Sequence, residues 1–191
     1  MTLPNQLTLF RIALSFLLIL LLLTPGLGAK IAAAIVFTIA SLTDLWDGRL
    51  ARRWGVVTDF GILMDPIADK VLVLAAFLAF VQLNVVPAWM VALIAIREFL
   101  ITGLRLFALG KGHVLPAEAA GKHKTVSQIV AISFTLLFLI AREWGATQAN
   151  PVQWVAVVET GIWWLMLLTV VLTLTSGSSF MWRHRKLILN L

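Results

Sequence analysis

Asp44-Leu45-Trp46-Asp47-Gly48-Arg49-Leu50-Ala51-Arg52, followed after eight residues by Gly61 and then by Asp65 and Asp69, is the stretch whose reading decides the fold. Four of the chain's five Asp stand at these positions, and both ends of the stretch merge into long apolar runs. Carboxylates entering lipid-facing segments are costly and mark a functional site by default. The rest of the chain can be read as scaffold, lipid surface and second-substrate pocket built around these four groups.

The composition fits that reading. Of 191 residues, 61% are hydrophobic and 13% charged, with a mean hydropathy of +0.98. A soluble domain is nearer a quarter charged. The absence of cysteine excludes disulfides and thiolate metal sites. The net charge of +6 gathers at loops and helix ends. In a chain this apolar, the positive-inside rule and anionic headgroups explain that excess better than nucleic acid does, so no nucleic-acid partner is expected.

Outward from the Asp stretch, the apolar runs predict six spans: Leu7 to Leu23, Lys30 to Asp47, Asp65 to Leu83, Ala88 to Leu109, Thr125 to Ala141 and Val152 to Thr175. Thr2, Pro4 and Asn5 are helix-start chemistry. Arg11 interrupts the first run, which therefore does not read as a cleaved signal. Gly55 to Gly61 and Arg142 to Pro151 are expected as connectors, and Gly110 to Lys124 as a polar, basic one. The fold class is an all-α integral membrane protein, a six-helix transmembrane bundle forming one domain over residues 1–191. Six spans put both termini on one side. That side carries ten basic residues, from Arg49 to Lys186, against Lys30 and Arg142 on the other. Both termini and the Asp stretch are therefore expected in the cytoplasm, in a multi-pass protein of the inner membrane.

Asp44 and Asp47 are three apart, and Asp65 and Asp69 four apart, so each pair shares a helix face. Two helices meeting at their cytoplasmic ends would converge four oxygen-bearing groups. Hard cations such as Mg²⁺ take such ligands. Four carboxylates could hold two ions about 4 Å apart, the spacing of two-metal phosphoryl-transfer sites. Gly48 and Gly61 lack side chains and would let a nucleotide approach the backbone, and Arg52 could contact a phosphate. The plainer alternative is a set of solvated acidic helix ends beside basic neighbours.

The stretch resembles the signature of the CDP-alcohol phosphatidyltransferase family, D-x2-D-G-x2-A-R-x8-G-x3-D-x3-D. All eight fixed positions match: Asp44, Asp47, Gly48, Ala51, Arg52, Gly61, Asp65 and Asp69. The resemblance implies a six-helix membrane enzyme, usually a homodimer, with its site at the cytoplasmic end. It implies that Asp44, Asp47, Asp65 and Asp69 bind two divalent ions, Mg²⁺ or Mn²⁺, and that Asp69 also serves as general base. It further implies that Gly48, Arg52 and the Thr58 region contact the CDP moiety, with Gly61 in the same CDP-lipid site.

The acceptor is read from a second constellation. Arg97 lies deep in the fourth span, where a charge needs a partner or a water-filled cavity. Glu98 is adjacent but points about 100° away on a helix, which makes it an imperfect partner. Arg105 is eight residues on, and Lys122 and Lys124 stand at the start of the fifth span, where helix amides add positive field. Together they suit an alcohol carrying its own phosphate. Against this, Arg105, Lys122 and Lys124 could instead snorkel to headgroups. Pro4-Asn5-x-Leu7-Thr8-x-x-Arg11, Arg97-Glu98, Leu104-Arg105 and Gly121-Lys122-x-Lys124-Thr125 are similar to the phosphatidylglycerophosphate synthase branch of the family. That resemblance implies CDP-diacylglycerol and sn-glycerol 3-phosphate as substrates, with Arg97, Arg105 and Lys122 on the acceptor phosphate. It places Asn5 and Thr8 near the nucleotide entrance, although capping and ordinary polar packing explain both as well. A sister enzyme using inositol phosphate or another alcohol is the nearest alternative. A divalent-cation transporter is the alternative from another class, and it predicts acidic groups through the whole membrane depth. A metal-dependent lipid phosphatase is a third, with water as acceptor.

Overall fold

The computed structural model describes residues 3–54, 59–112, 119–147 and 155–189, with side chains left out at 3–5, 44–54, 59–66, 69, 119–122, 147 and 186–189. Its elements are six helices: α1 Leu3–Leu23, α2 Leu27–Trp54, α3 Asp59–Gln82, α4 Ala88–Gly110, α5 Ala119–Thr147 and α6 Val155–Leu189. Each apolar run of the sequence becomes one helix. The helices outrun the predicted spans at their polar ends, because a backbone leaving the hydrocarbon still satisfies its hydrogen bonds best as a helix. Arg142 to Thr147, expected as loop, continues α5, and the basic stretch Arg183-His184-Arg185 continues α6.

The breaks between helices follow turn chemistry. After Leu23, the Thr24 hydroxyl donates to the Leu20 carbonyl at 2.7 Å, and Gly26 takes φ 104°, a conformation open to glycine. After Gln82, Asn84 enters the left-handed region at φ 57°, and the Val85 N–H returns to the Phe80 carbonyl at 3.0 Å. Pro87 then precedes the first turn of α4. Lys30 adds a device that the sequence did not announce. It is buried, and its ammonium donates to the carbonyls of Leu22 and Thr24. A cation thus satisfies orphan carbonyls at the negative end of α1.

Helix α1 lies against α2 and α3, α3 also meets α4 and α5, and α6 packs on α4 and α5. One core runs through all six helices, with Leu18, Phe37, Phe77, Phe80, Met90, Ile94, Ile132, Leu139 and Met166 among its members. Buried alanines (Ala33, Ala40, Ala76, Ala79, Ala131) let backbones approach closely, as is usual where lipid supplies no hydrophobic drive between helices. The outer surface is apolar too: Phe16, Leu20, Ile96, Phe99, Leu137 and Trp164 are all exposed. Such a belt has lipid as its natural neighbour.

Among the described residues, three helical segments are long and apolar enough to cross a bilayer: Gln6–Leu23, His123–Ala146 and Val155–Arg185. Leu27–Thr43 and Lys70–Gln82 are apolar but shorter. Helix α4 carries Arg97, Glu98 and Arg105 within its apolar sequence. The chain is an all-helical membrane protein.

Candidate active site

The Asp stretch occupies the end of α2 and the beginning of α3. Asp44 and Asp47 lie on α2 with Gly48 and Arg52, and Gly61, Asp65 and Asp69 lie on α3. The helical backbone holds the spacings of three and four, so the two positions of each pair fall on one helix face. Asp47 is seven residues before the end of α2 and Asp44 ten; Asp65 is six residues after the start of α3 and Asp69 ten. At 1.5 Å per residue both pairs sit about 10–15 Å from the connection between the helices. The donor set is all oxygen, the chemistry that a hard divalent cation takes. The side chains of these residues lie outside the described ones, as does the whole of Thr58.

Next to this stretch the structure builds a polar cluster in the interior. Its centre is Glu98 on α4, which is 3% exposed. Lys70, the residue after Asp69 on α3, places its ammonium 3.3 Å from Glu98 Oε2. Lys124 on α5 donates to Glu98 Oε1, and Gln128, one turn further along α5, donates to the same oxygen at 3.3 Å. Arg97 reaches Oε1 with Nη1 at 3.3 Å and the Ser176 hydroxyl on α6 with Nη2 at 3.0 Å. One carboxylate thus ties four helices, α3 to α6, at the depth of Asp69. Breaking a buried pair leaves a charge without compensation, typically at a cost of about 3–5 kcal/mol.

This geometry corrects one expectation. Glu98 is a partner of Arg97 despite the 100° between their positions: the Arg97 side chain lies against α6 at Gly177 and Ser176, and its Nη1 still comes within 3.3 Å of Glu98 Oε1. It also replaces the snorkelling alternative for Lys124, whose side chain is buried and aimed inward. Gly177 makes room for the arrangement: a Cβ there would stand 2.9 Å from Arg97 Cγ and 3.0 Å from its Nε. Arg97 Nε is buried there without a hydrogen-bond partner.

Arg105 is exposed and stands outside the Glu98 cluster. Lys122 lies in the first turn of α5 and Asn5 in the first turn of α1, with side chains outside the described residues. Thr8 is buried on α1, in line with Arg11 and Ser15, which are buried too.

The sequence model of the CDP-alcohol phosphatidyltransferase family matches residues 1–175. The chain belongs to the CDP-alcohol phosphatidyltransferase family. A Bacillus subtilis relative named CDP-diacylglycerol–glycerol-3-phosphate 3-phosphatidyltransferase is 44% identical over 171 residues, covering 83% of this chain and 89% of the relative. Proteins of the same name from Rickettsia bellii and Escherichia coli K12 are 37% identical (88% of this chain, 90% of the relative) and 40% identical (70% and 75%).

In the sequence the four carboxylates, Arg97 and Lys124 stand out as candidates, whereas the grouping of Glu98, Lys70, Gln128 and Ser176 with Arg97 and Lys124 emerges only in the structure. A signal existed. Glu98 is the sole acid of α4, and Lys70 directly follows the last Asp of the signature. Taken by itself, Lys70 is one more positive charge on the side expected to face the cytoplasm. Nothing in the sequence marked Gly177.

Proposed function

We propose that the protein transfers the phosphatidyl group of CDP-diacylglycerol to sn-glycerol 3-phosphate, giving phosphatidylglycerophosphate and CMP. The observation that carries this reading is the complete eight-position signature, set on two consecutive helices with its carboxylate pairs at matching distances from their connection. Family membership and the names of relatives at 37–44% identity support it and favour glycerol 3-phosphate over inositol phosphate as acceptor. The transporter reading fits less well. Among the described residues the buried acid is Glu98, which is engaged by Lys70, Arg97 and Lys124 and offers no open ligand to a passing cation.

In this reading Asp44, Asp47, Asp65 and Asp69 hold two divalent ions, Mg²⁺ or Mn²⁺, which would supply charge neutralisation at the pyrophosphate of the nucleotide lipid. Gly48 and Gly61 admit the nucleotide to the helix backbone, and Arg52, Thr58, Asn5 and Thr8 line its path. The carboxylate of Asp69 takes the proton of the acceptor hydroxyl. The hydroxyl oxygen attacks the lipid-side phosphorus, and CMP departs with the bonding pair. Arg97, Lys124, Lys122 and Arg105 hold the acceptor phosphate. The chain's contribution is positioning and charge stabilisation, as in other phosphoryl transfers. The remaining helices complete six spans in one membrane domain, with both termini and the site facing the cytoplasm from the inner membrane, in a homodimer surrounded by membrane lipid.

The test is CMP release by the purified protein in phospholipid vesicles with CDP-diacylglycerol and a panel of acceptors. Turnover is expected with glycerol 3-phosphate, lost on chelation by EDTA and restored by Mg²⁺ or Mn²⁺. Turnover with inositol phosphate but not glycerol 3-phosphate would transfer the protein to the sister activity. Metal uptake into the vesicles with no CMP chemistry would favour the transporter.

A further inference from the structure

The Glu98 cluster has a property that structural tethering alone does not require. Three cations from three helices converge on one carboxylate, all with side chains buried or nearly so. Even with Lys70 left aside, Arg97 and Lys124 share the single oxygen Oε1. A buried site that is only structural reaches neutrality at least cost, since surplus buried charge is expensive. A surplus of cations is economical where an anion is to be received. The exposures point the same way: the Lys70 side chain is 18% accessible, against 10% for Arg97 and 9% for Lys124. Lys70 is also the neighbour of Asp69 in sequence, so the open edge of the cluster lies beside the end of the carboxylate stretch.

We infer that Glu98 is a positioning residue for the acceptor, gathering Lys70, Arg97 and Lys124 into a preformed cationic cradle, and that Lys70 is a member of the acceptor site alongside Arg97 and Lys124. The inference rests on the acceptor being a phosphorylated alcohol, as read above. Glu98 does not touch the acceptor. It holds mutually repelling cations at hydrogen-bonding distance of one point, so the phosphate meets its donors without first assembling them. Without the carboxylate, the two ammonium groups and the guanidinium repel, and the cradle opens.

The experiment is steady-state CMP release in vesicles with both substrates varied, on wild type, Glu98→Gln, Glu98→Asp and Lys70→Met. Glu98→Gln keeps the shape and removes the charge. It is expected to raise the KM for glycerol 3-phosphate by about tenfold or more while moving the KM for CDP-diacylglycerol by less than about twofold. Glu98→Asp should recover part of the loss. Inorganic phosphate should compete with the acceptor in wild type, and its inhibition constant should rise in Glu98→Gln in parallel with the acceptor KM. Lys70→Met leaves Glu98 two cation partners; with its folding checked by thermal unfolding, it should raise the acceptor KM at least about threefold, and it decides the matter alone if Glu98→Gln does not fold. An active wild type whose folded variants keep the wild-type acceptor KM, or lose both KM values equally, overturns the proposal by itself. A wild type that uses an unphosphorylated alcohol instead overturns the proposal together with the reading beneath it.

Discussion

Replacing Gly177 by alanine sets two effects of opposite sign against each other, and the structure says which wins. In the interior of a helix, Gly→Ala ordinarily stabilises by about 1 kcal/mol, because the glycine backbone has more freedom to lose. At Gly177 the added Cβ would stand 2.9 Å from Arg97 Cγ and 3.0 Å from Arg97 Nε. Carbon atoms in good contact keep about 3.5–4.0 Å. The Arg97 stem cannot simply swing away, because its far end is tied to Glu98 and to Ser176. Overpacking of this kind costs about 1–3 kcal/mol. Losing the charged hydrogen bond to Ser176 adds about 1.5–3 kcal/mol. The helix gain is smaller than the two costs together, so Gly177→Ala should be destabilising by about 1.5–5 kcal/mol, a drop in Tm of several degrees or more for a chain of this size. Gly103→Ala and Gly161→Ala are the controls, since a Cβ at either position meets nothing within 4 Å. Both should melt at or slightly above wild type in the same detergent. The measurement is thermal unfolding of the three purified variants side by side, followed by the acceptor KM of each. Gly177→Ala melting together with the controls, at an unchanged acceptor KM, would refute the claim that Gly177 exists to seat Arg97.

Asp69→Asn should lower turnover by about 10²–10⁴-fold, the usual contribution of a general base, while CDP-diacylglycerol binding survives; near-normal CMP release would remove Asp69 from that role. Lys30→Met should cost about 1–3 kcal/mol of stability, since it strips the Leu22 and Thr24 carbonyls of their buried donor. Lys30 lies about 20 Å along α2 from Asp44, so activity per folded molecule should stay within about twofold; a stable, less active Lys30→Met would contradict its purely structural assignment. Arg105→Ala should raise the KM for glycerol 3-phosphate more than that for the lipid; because Arg105 is exposed and outside the Glu98 cluster, its effect should be smaller than that of Lys70→Met. The reverse order would move the acceptor phosphate toward the end of α4.

The sequence by itself determined the helical membrane character, the order of six helices and the carboxylate set. All three are local properties. Apolar runs of bilayer length, Pro and Gly at their breaks, and acids at spacings of three and four within an apolar background are legible one segment at a time. Helix ends were less legible, as Arg142 to Thr147 shows, because a charged residue ends a hydrophobic run without ending the helix that carries it. Partnership across helices was decided by the tertiary structure alone. Lys70, Glu98, Lys124 and Ser176 are separated by up to about a hundred residues of chain, and no periodicity couples them. Lys30 gave no sign that it would fold back on the end of α1, and Gly177 gave none that it faced an arginine. A buried charge announces in sequence that it needs a partner; which partner it takes depends on which helix faces are pressed together, and that is fixed only when the bundle packs.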